Sequence, residues 1–314
     1  MPYQILVSGS LAYDRIMDFP GRFRDHIMPD KMHALSVSFT VRNMATRFGG
    51  NAGNIAYTLK LLGDEPVMLA RAGHDFAPYR TWLTKNRIAT SRIAIDRMRH
   101  TAVAHIMTDC DDNQIAAFAP GATEIPYPLT QTTMKFFRNA RCAIIGPSRP
   151  SDIMRQCRAL KRARIPYIAD PGQEIPALTS SQLLELIRGS EALFGNDYEI
   201  ELIRQKIKHS RNQLIKRVKF LVITLGAKGS MIYQRDTAWK IAAAPPTRVV
   251  DPTGAGDAYR AGFIHGYIRG VPLETCGHIA SLVARLPLAH YGTQEHALSP
   301  TDRAAIKKLL LHAA

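Results

Sequence analysis

The stretch that decides the fold is Asp251-Pro252-Thr253-Gly254-Ala255-Gly256-Asp257, a glycine-rich turn that ends in an acid. Val249-Val250 precedes the turn and indicates the end of an extended segment. After the turn, apolar residues recur at helical spacing and predict an amphipathic helix to about Gly270. The apolar positions of this helix are Ala258, Ala261, Phe263, Ile264 and Tyr267. The sequence therefore predicts a strand, a tight turn and a helix in succession.

This turn has the composition of an anion-binding site. Gly254 and Gly256 permit backbone conformations that are closed to other residues, so N–H groups at Gly254, Ala255 and Gly256 can converge on phosphate oxygens at the positive end of the helix dipole. Asp257 falls in the first helical turn, where the dipole favours the carboxylate and keeps it available to accept a hydroxyl proton. The alternative interpretation is that Asp257 only caps the helix.

Two commoner glycine motifs do not fit the chain. A dinucleotide-binding fingerprint would need glycine where Tyr259 stands, and no G-x-x-x-x-G-K-[ST] run is present. Hydride transfer and ordinary P-loop chemistry are therefore disfavoured.

Composition and charge indicate one large globular unit. The 314 residues are 46% hydrophobic, which is enough for a substantial core. The four cysteines form no C-x-x-C pair, no signal-peptide pattern precedes Ile5-Leu6-Val7, and no apolar stretch is about 20 residues long, so we expect a cytoplasmic protein without a membrane span. The net charge of +15 suggests anionic partners, but the basic run from Arg204 to Lys219 lacks aromatic residues that could stack on bases.

Strand-like and helical patterns alternate along the chain. The predicted strands are 5–8, 67–71, 143–145, 167–169, 192–194 and 221–224, with helices such as 54–62, 153–163 and 183–188 between them. This alternation predicts a mainly parallel sheet with helices on both faces, in which ligands bind beyond the carboxyl ends of the strands. The polar residues to inspect there are Asp14, Asp170, Asn196, Thr224 and Asp257. Residues 17–48 and 98–120 break the alternation with period-two runs and predict a small separate sheet that closes over a ligand.

Three further motifs accompany the turn at 251–257. They are Gly49-Gly50-Asn51-Ala52-Gly53-Asn54, Asn196-Asp197-Tyr198-Glu199 and Thr224-Leu225-Gly226-Ala227-Lys228-Gly229. In this order and over nearly the whole chain, the four motifs resemble the PfkB or ribokinase family of carbohydrate and nucleoside kinases. The resemblance implies a ribokinase-like three-layer α/β/α sandwich with a mainly parallel central sheet and a small β-sheet lid. We expect a single domain over residues 1–314, with lid strands inserted at about 12–48 and 98–120.

The resemblance also implies how the acceptor is held. Asp14 and Asn54 can make paired hydrogen bonds to vicinal hydroxyls, and Gly49 and Gly50 before a helix let a sugar approach the backbone closely. From the residues alone, a turn acid and a helix-start amide are equally good readings of Asp14 and Asn54. The family resemblance implies that both bind sugar hydroxyls and that Asp257 is the catalytic base.

ATP and Mg²⁺ are the cofactors that the resemblance implies. Asn196 follows a strand and Glu199 lies one helical turn later, so both can face the triphosphate, with Glu199 holding Mg²⁺ through water. A capping pair is the alternative for these two residues. Thr224, Gly226 and Gly229 are expected close to the phosphates or ribose of ATP, although a hairpin turn explains the same glycines.

Several segments are similar to the adenosine-kinase-like branch of bacterial and archaeal nucleoside kinases. These segments are residues 10–17, 21–27, Asp112-Asn113-Gln114, 118–122 and Asp170-Pro171-Gly172-Gln173. The similarity implies that Gln114 and Gln173 line the nucleoside site. A monovalent-cation site for K⁺ is common in the family, and backbone near Asp251, Thr253 and Gly292 is where this chain could form one.

The sequence thus predicts an ATP- and Mg²⁺-dependent nucleoside kinase that phosphorylates the ribose 5′-hydroxyl of purine nucleosides such as adenosine, inosine or guanosine. We expect a monomer or homodimer whose partners are the nucleoside and ATP, with neither a membrane nor nucleic acid. One alternative is a sugar kinase for ribose or fructose on the same fold. Another is a catalytically inactive, nucleic-acid-associated regulator, which the charge of +15 suggests and the intact Asp257 and Glu199 disfavour.

Overall fold

The computed structural model describes residues 3–28, 36–111, 113–137 and 139–312. Asp112 and the two ends of the predicted domain lie outside these residues. The strands are β1 Gln4–Ser8, β2 Ala12–Asp18, β3 Asn43–Gly49, β4 Glu65–Leu69, β5 Arg71–Ala72, β6 Ala94–Ile95, β7 Ala102–Thr108, β8 Gln114–Ala119, β9 Ala140–Ile145, β10 Tyr167–Ala169, β11 Ala192–Asn196, β12 Phe220–Thr224, β13 Ser230–Gln234 and β14 Thr237–Ile241. The helices are α1 Asn51–Leu61, α2 Ala77–Lys85, α3 Gln131–Phe137, α4 Pro150–Ala163, α5 Ser180–Ile187, α6 Asp197–Ile207, α7 Arg211–Ile215, α8 Ala255–Tyr267, α9 Leu273–Ala284 and α10 Pro300–His312.

The central sheet has the strand order β14-β13-β12-β11-β10-β9-β1-β4. Neighbours from β12 to β4 pair in parallel, and the hairpin β13–β14 adds two antiparallel strands at one edge. This arrangement confirms the predicted mainly parallel sheet. The parallel strands end at the same edge, so the residues that follow them meet there.

Side chains of the central strands alternate between two cores, one on each face of the sheet. Ile5 and Val7 of β1 belong to a core with residues of α1, α8 and α9, whereas Leu6 between them belongs to a core with residues of α4, α5 and α6. Successive strand residues point to opposite faces, so an almost unbroken apolar strand serves both layers of helices. The result is the predicted α/β/α sandwich.

A second sheet, which we call the lid, has the order β3-β2-β7-β8. Strand β2 pairs antiparallel with β3 and parallel with β7, and β7 pairs antiparallel with β8. The lid strands fall within the predicted insertions at about 12–48 and 98–120, and residues 29–35 of the first insertion lie outside the described part. None of the helices in the described residues has both the length and the apolar character needed to cross a bilayer.

One predicted element is wrong. Val249 and Val250 do not end a strand, because the last strand stops at Ile241 and a loop leads from there to the turn. Both valines are exposed, at 67% and 44%. Pro245 and Pro246 lie in the same loop and have no N–H to give to a sheet ladder.

A buried ionic cluster fixes helix α8 against the turn after α1. Asp64 has no exposed surface; its carboxylate oxygens lie 2.7 Å from His265 Nδ1 and 2.8 Å from Arg269 Nη2. His265 lies in the last turn of α8 and Arg269 lies two residues after this helix ends, whereas the other end of α8 begins at the glycine-rich turn. The position of the turn therefore depends on an interaction more than two helical turns away.

We expect Asp64→Ala to lower the free energy of unfolding by about 3 kcal/mol or more, because it leaves a guanidinium and an imidazole without their buried partner. Urea unfolding followed by circular dichroism measures this loss. The neighbouring half-buried pair of Glu65 and Lys60, with Oε1 and Nζ 2.6 Å apart, is more accessible to water than Asp64 and gives the matched control. Glu65→Ala should cost less than about 1 kcal/mol, and equal losses for the two variants would contradict the assigned role of Asp64.

Candidate functional site

A cavity of about 420 Å³ lies at the carboxyl ends of the central strands and is partly covered by the lid. It brings together most of the residues singled out in the sequence. The lining includes Asp14, Gly50, Asn54, Asp170, Gln173, Asn196, Glu199, Thr224, Thr253, Gly254, Gly256, Asp257 and Arg260. Six separate segments of the chain therefore converge on one volume.

The glycine-rich turn presents free backbone donors to this cavity. Gly254 adopts a left-handed conformation with φ 83° as the residue before α8, and no side chain caps the helix. The N–H groups of Gly254, Gly256 and Asp257 donate to no described residue, whereas Ala255 N donates to Pro252 O at 3.4 Å. Unpaired N–H groups at a helix N-terminus are an anion-binding arrangement.

Asp257 is the third residue of α8 and lies against α1. Its Oδ2 accepts a hydrogen bond from Asn54 Nδ2 at 2.8 Å. Burial raises the pKa of Asp257 to about 6, although the Arg260 guanidinium and the Asn54 hydrogen bond lower it. Lost hydration is thus the largest influence on this carboxyl, and it favours the protonated form. A base with a pKa near the working pH is well suited to proton transfer.

Asp14 projects from lid strand β2 into the same cavity. It is 9% exposed and accepts no hydrogen bond from the described residues. Burial, and to a smaller extent the nearby carboxylates of Asp251 and Asp257, raise its pKa to about 7. A side chain on Gly49 would place its Cβ 2.0 Å from Asp14 Oδ2, so glycine is required for the carboxylate to sit there. Asp14 is thus a buried acceptor without donors, which is the arrangement that ligand hydroxyls can complete.

The side chain of Asn54 makes more hydrogen bonds within the protein than the sequence suggests. Besides the hydrogen bond to Asp257, its Oδ1 accepts from Thr293 Oγ1 at 2.7 Å and from Gln294 Nε2 at 3.1 Å. At most one amide hydrogen remains for a ligand hydroxyl. Thr293 and Gln294 carried no signal of their own in the sequence analysis, since they belong to none of the motifs.

Asn196 and Glu199 cap a helix and also line the cavity. They form a reciprocal capping box at the start of α6, with Glu199 N donating to Asn196 Oδ1 and Asn196 N donating to Glu199 Oε2, both at 2.8 Å. Both side chains also line the cavity. Thr224 joins them there, whereas Gly226 and Gly229 lie in the turn between β12 and β13, outside the lining.

Gln114 is not in this cavity. It lines a neighbouring cavity of about 850 Å³ together with Asp251 and Thr253, and its Nε2 donates to Thr108 Oγ1 at 3.4 Å. The register explains the difference: Gln114 lies four residues from Phe118 on β8, and Phe118 is the residue level with Asp14 across the lid. Four residues of strand span about 13 Å. Phe118 therefore occupies the position over the site that Gln114 was expected to take.

The residues proposed for a monovalent cation lie around the turn. Asp251 is 9% exposed and its Oδ1 accepts from Thr253 N at 2.8 Å. Gly292 has φ 108° and packs against the Arg47 side chain. The three residues approach the turn from two segments of the chain.

Arg260 is a site residue that the sequence analysis missed. Its Nε and Nη2 donate to the two carboxylate oxygens of Asp170, the latter at 2.7 Å, and its Nη1 donates to Gly256 O at 3.0 Å. The guanidinium thus joins the end of β10 to the first turn of α8. The available signal was a charged residue three positions after Asp257, on the same face of an otherwise apolar helix.

A second cavity of about 460 Å³ adjoins the first. The two share Ser10, Phe118, Pro147 and Gln173. The second is also lined by Tyr127, Gln156 and Ser148, and the buried Ser148 Oγ has no hydrogen-bond partner among the described residues.

The site can be compared with known proteins. The family model for the pfkB family carbohydrate kinases matches residues 11–301. A nucleoside kinase of Methanocaldococcus jannaschii is 31% identical over 285 residues, which cover 90% of this chain and 92% of that protein. The structure of Burkholderia thailandensis nucleoside kinase in complex with inosine is 36% identical, with a TM-score of 0.83, and the match covers 98% of this chain and 97% of that one. The same enzyme in complex with ADP and inosine is 37% identical, with a TM-score of 0.81 and coverage of 98% and 95%. These matches confirm the ribokinase-like fold.

The raised pKa of Asp14 predicts a cost to stability that grows with pH. The unfolded chain loses this proton near pH 3.8 and the folded chain near pH 7, so stability falls across that range and the full cost is present above it. Asp14→Asn should therefore stabilise the protein at pH 8 by about 2 to 4 kcal/mol, and by much less at pH 4. Urea unfolding at the two pH values measures the difference. Asp236→Asn, in an exposed turn, should change stability by less than about 0.5 kcal/mol at both, and a pH-independent gain at Asp14 would refute the assignment.

Proposed function

The chain belongs to the PfkB family of carbohydrate kinases, which are phosphotransferases that act on hydroxyl groups, and on this basis we propose that it is a nucleoside kinase. In the proposed reaction, ATP and Mg²⁺ convert a purine nucleoside to its 5′-monophosphate, a step of purine salvage. The observation that carries the proposal is the pair of adjoining cavities, one with the carboxylates Asp14 and Asp257 and the other with aromatic and polar side chains.

The two cavities match the two parts of a nucleoside. The ribose fits the first, where Asp14 accepts hydrogen bonds from the 2′- and 3′-hydroxyls and the 5′-hydroxyl faces Asp257. The base fits the second, where Phe118 and Tyr127 offer aromatic surface and Gln156 and Ser148 offer polar groups for its edge. A free sugar would leave the second cavity empty. The nucleoside kinases of similar sequence and structure support the same acceptor class.

The residues of the site have distinct roles in the proposed mechanism. Asp257 accepts the proton of the 5′-hydroxyl as the hydroxyl oxygen attacks the γ-phosphorus in line and the bond to the leaving ADP oxygen breaks. The N–H groups of Gly254, Gly256 and Asp257 stabilise the charge on the phosphoryl oxygens. The lid, carrying Asp14 and Phe118, excludes water and so limits ATP hydrolysis.

The donor set fits Mg²⁺ that is held mainly by the nucleotide. Within the part of the chain that the structure describes, no group of three or more His, Cys, Asp or Glu side chains could hold a metal ion alone. Asp170 is paired with Arg260. Glu199 would therefore hold the ion, and Asn196 would act on it only through the phosphates. Mg²⁺ is commonly held by substrate phosphates and water with few carboxylates. When bound, it neutralises part of the triphosphate charge.

Several expectations go with this proposal. K⁺ beside the turn, near Asp251, Thr253 and Gly292, would support the anion-binding backbone. We also expect a cytoplasmic monomer or homodimer.

The cations of the basic run from Arg204 to Lys219 do not form one free patch, since Lys206 donates to two backbone carbonyls and Lys219 pairs with Glu191. This arrangement favours a solvated surface over a nucleic-acid interface.

We expect Asp257→Asn to lower kcat by about 10² to 10⁴-fold, because the amide has the shape of the carboxylate but cannot accept the hydroxyl proton. ADP release with saturating ATP and inosine measures the loss, and the KM for ATP should stay near that of the wild type. A loss of less than about fivefold would assign Asp257 to a purely structural role.

The acceptor class can be tested with a panel of adenosine, inosine, guanosine, ribose and fructose. We expect at least one purine nucleoside to exceed both free sugars in kcat/KM by about tenfold or more, since a base contribution of about 1.4 kcal/mol gives that factor. If a free sugar is preferred, the proposed nucleoside acceptor is wrong and the alternative of a sugar kinase on the same fold is supported. Salt-sensitive binding to duplex DNA without any turnover would instead support the regulator.

A further inference from the structure

Asn54 contacts the proposed base, and hydrogen bonds to its side-chain oxygen set the orientation of its amide. Its Oδ1 accepts from Thr293 and Gln294, and its Nδ2 donates to Asp257. Asn54 is 5% exposed and Gln294 is 2% exposed, so water hardly competes for these groups. The amide therefore presents N–H, rather than oxygen, to the carboxylate.

Gln294 is oriented in turn by Trp82. The indole N–H can only donate, and Trp82 Nε1 donates to Gln294 Oε1 at 3.1 Å. The Nε2 of Gln294 then faces the other way, where it donates to Asn54 Oδ1 at 3.1 Å and to Tyr79 Oη at 2.5 Å. Tyr79 can accept there because its own hydrogen goes to the carbonyl of Gly49 at 2.9 Å. The Gln294 amide is fully paired.

This chain of hydrogen bonds has a direction. The two ends of an amide are nearly equal in shape, so packing alone does not choose between its two orientations. If Gln294 were turned over, its oxygen would face the Asn54 oxygen, and Asn54 would have to put its own oxygen against Asp257. The donor-only indole of Trp82 excludes that arrangement.

We propose that Trp82 and Gln294 are positioning residues for phosphoryl transfer, which act through Asn54 to hold a hydrogen-bond donor against one oxygen of Asp257. The other oxygen, Oδ1, accepts from no described residue and is left for the acceptor hydroxyl. The proposal rests on the proposed role of Asp257 as the base. We call the chain from Trp82 through Gln294 and Asn54 the amide relay.

Other charged and titratable groups surround Asp257, but none of those described donates to it. They come from the lid, from α2, from the end of β10, from α6, from the turn and from α8 itself: Asp14, Tyr79, Asp170, Glu199, Asp251 and Arg260. Arg260 is committed to Asp170 and Gly256. The Asn54 amide is therefore the side-chain donor on the base within the described residues.

Two substitutions at Gln294 test the relay, because they are similar in size and differ in hydrogen bonding. In Gln294→Glu, an ionised carboxylate can only accept, so it draws the Asn54 N–H groups toward itself and turns the Asn54 oxygen onto Asp257. We expect kcat at pH 9 to fall about 10- to 100-fold. In Gln294→Met, the Asn54 oxygen loses one of its two donors and keeps Thr293 Oγ1, which it shares with Phe48 O, so kcat should fall by a smaller factor, about two- to fivefold.

The pH profile gives a signature that a merely structural role would not produce. The wild-type kcat should rise with pH as Asp257, with a pKa of about 6, loses its proton. In Gln294→Glu, the protonated carboxyl can still donate to Asn54 and the ionised one cannot, so at pH values above the pKa of Asp257 kcat should fall where the wild type reaches a plateau. The KM for ATP should change by less than about twofold in both Gln294→Glu and Gln294→Met.

Two further variants complete the design. Trp82→Phe keeps the aromatic ring and removes the N–H that sets the direction, so kcat should fall, by less than in Gln294→Glu. Tyr57→Phe is the matched control, since Tyr57 stacks on Trp82 with ring centroids 6.1 Å apart but donates to His296 O, outside the relay. It should leave kcat and the pH profile unchanged.

The relay is overturned if the two Gln294 variants lose kcat equally, or if the pH profile of Gln294→Glu keeps the wild-type slope. If the Gln294 variants do not fold, an unchanged kcat in Trp82→Phe overturns it. The assays use whichever acceptor the wild type phosphorylates, so a preference for a free sugar refutes the nucleoside proposal while the ranking of the variants still decides the relay.

Discussion

The structure depends on keeping several carboxylates in one partly closed cavity. Asp14, Asp170, Glu199 and Asp257 all line it, and burial raises the pKa of three of them, Asp14, Glu199 and Asp257. Mutual repulsion and lost hydration make this arrangement costly in the absence of ligands. Each compensation is local: Arg260 binds Asp170, the capping box holds Glu199, and the Asn54 amide supports Asp257.

Asp14 is the one of these four carboxylates that has no such local partner among the described residues. No described residue donates to it, so its hydrogen-bonding needs are met only by a molecule that enters the cavity. In the proposed function, the unpaired carboxylate that destabilises the folded protein at high pH is also the acceptor for a pair of ligand hydroxyls. On that proposal, stability and acceptor binding oppose each other at this residue, as is common where a site must remain polar and dry.

The backbone scaffold brings these groups together in two steps. The parallel strands end at one edge of the sheet and place Asp170 and Asn196 there. The ionic cluster at Asp64 holds the carboxyl-terminal end of α8 and so helps to position the glycine-rich turn at its other end. The lid then adds Asp14 and Phe118 from strands that are not part of the main sheet. The proposed base and the lid that covers the cavity therefore come from different layers of the fold.

The sequence by itself determined the alternation of strands and helices, the two lid insertions and the residues at the strand ends, because periodicity and turn composition are local properties. It also placed Asp257 correctly in the first turn of α8. Only the tertiary structure decided that Val249 and Val250 lie in a loop, that Phe118 rather than Gln114 is level with Asp14, and that lost hydration raises the pKa of Asp257. Arg260, Gln294 and Trp82 belong to the same category. Their roles arise from strand register, solvent exclusion and contacts between segments as many as 240 residues apart, and these are properties of the packed molecule that no local pattern encodes.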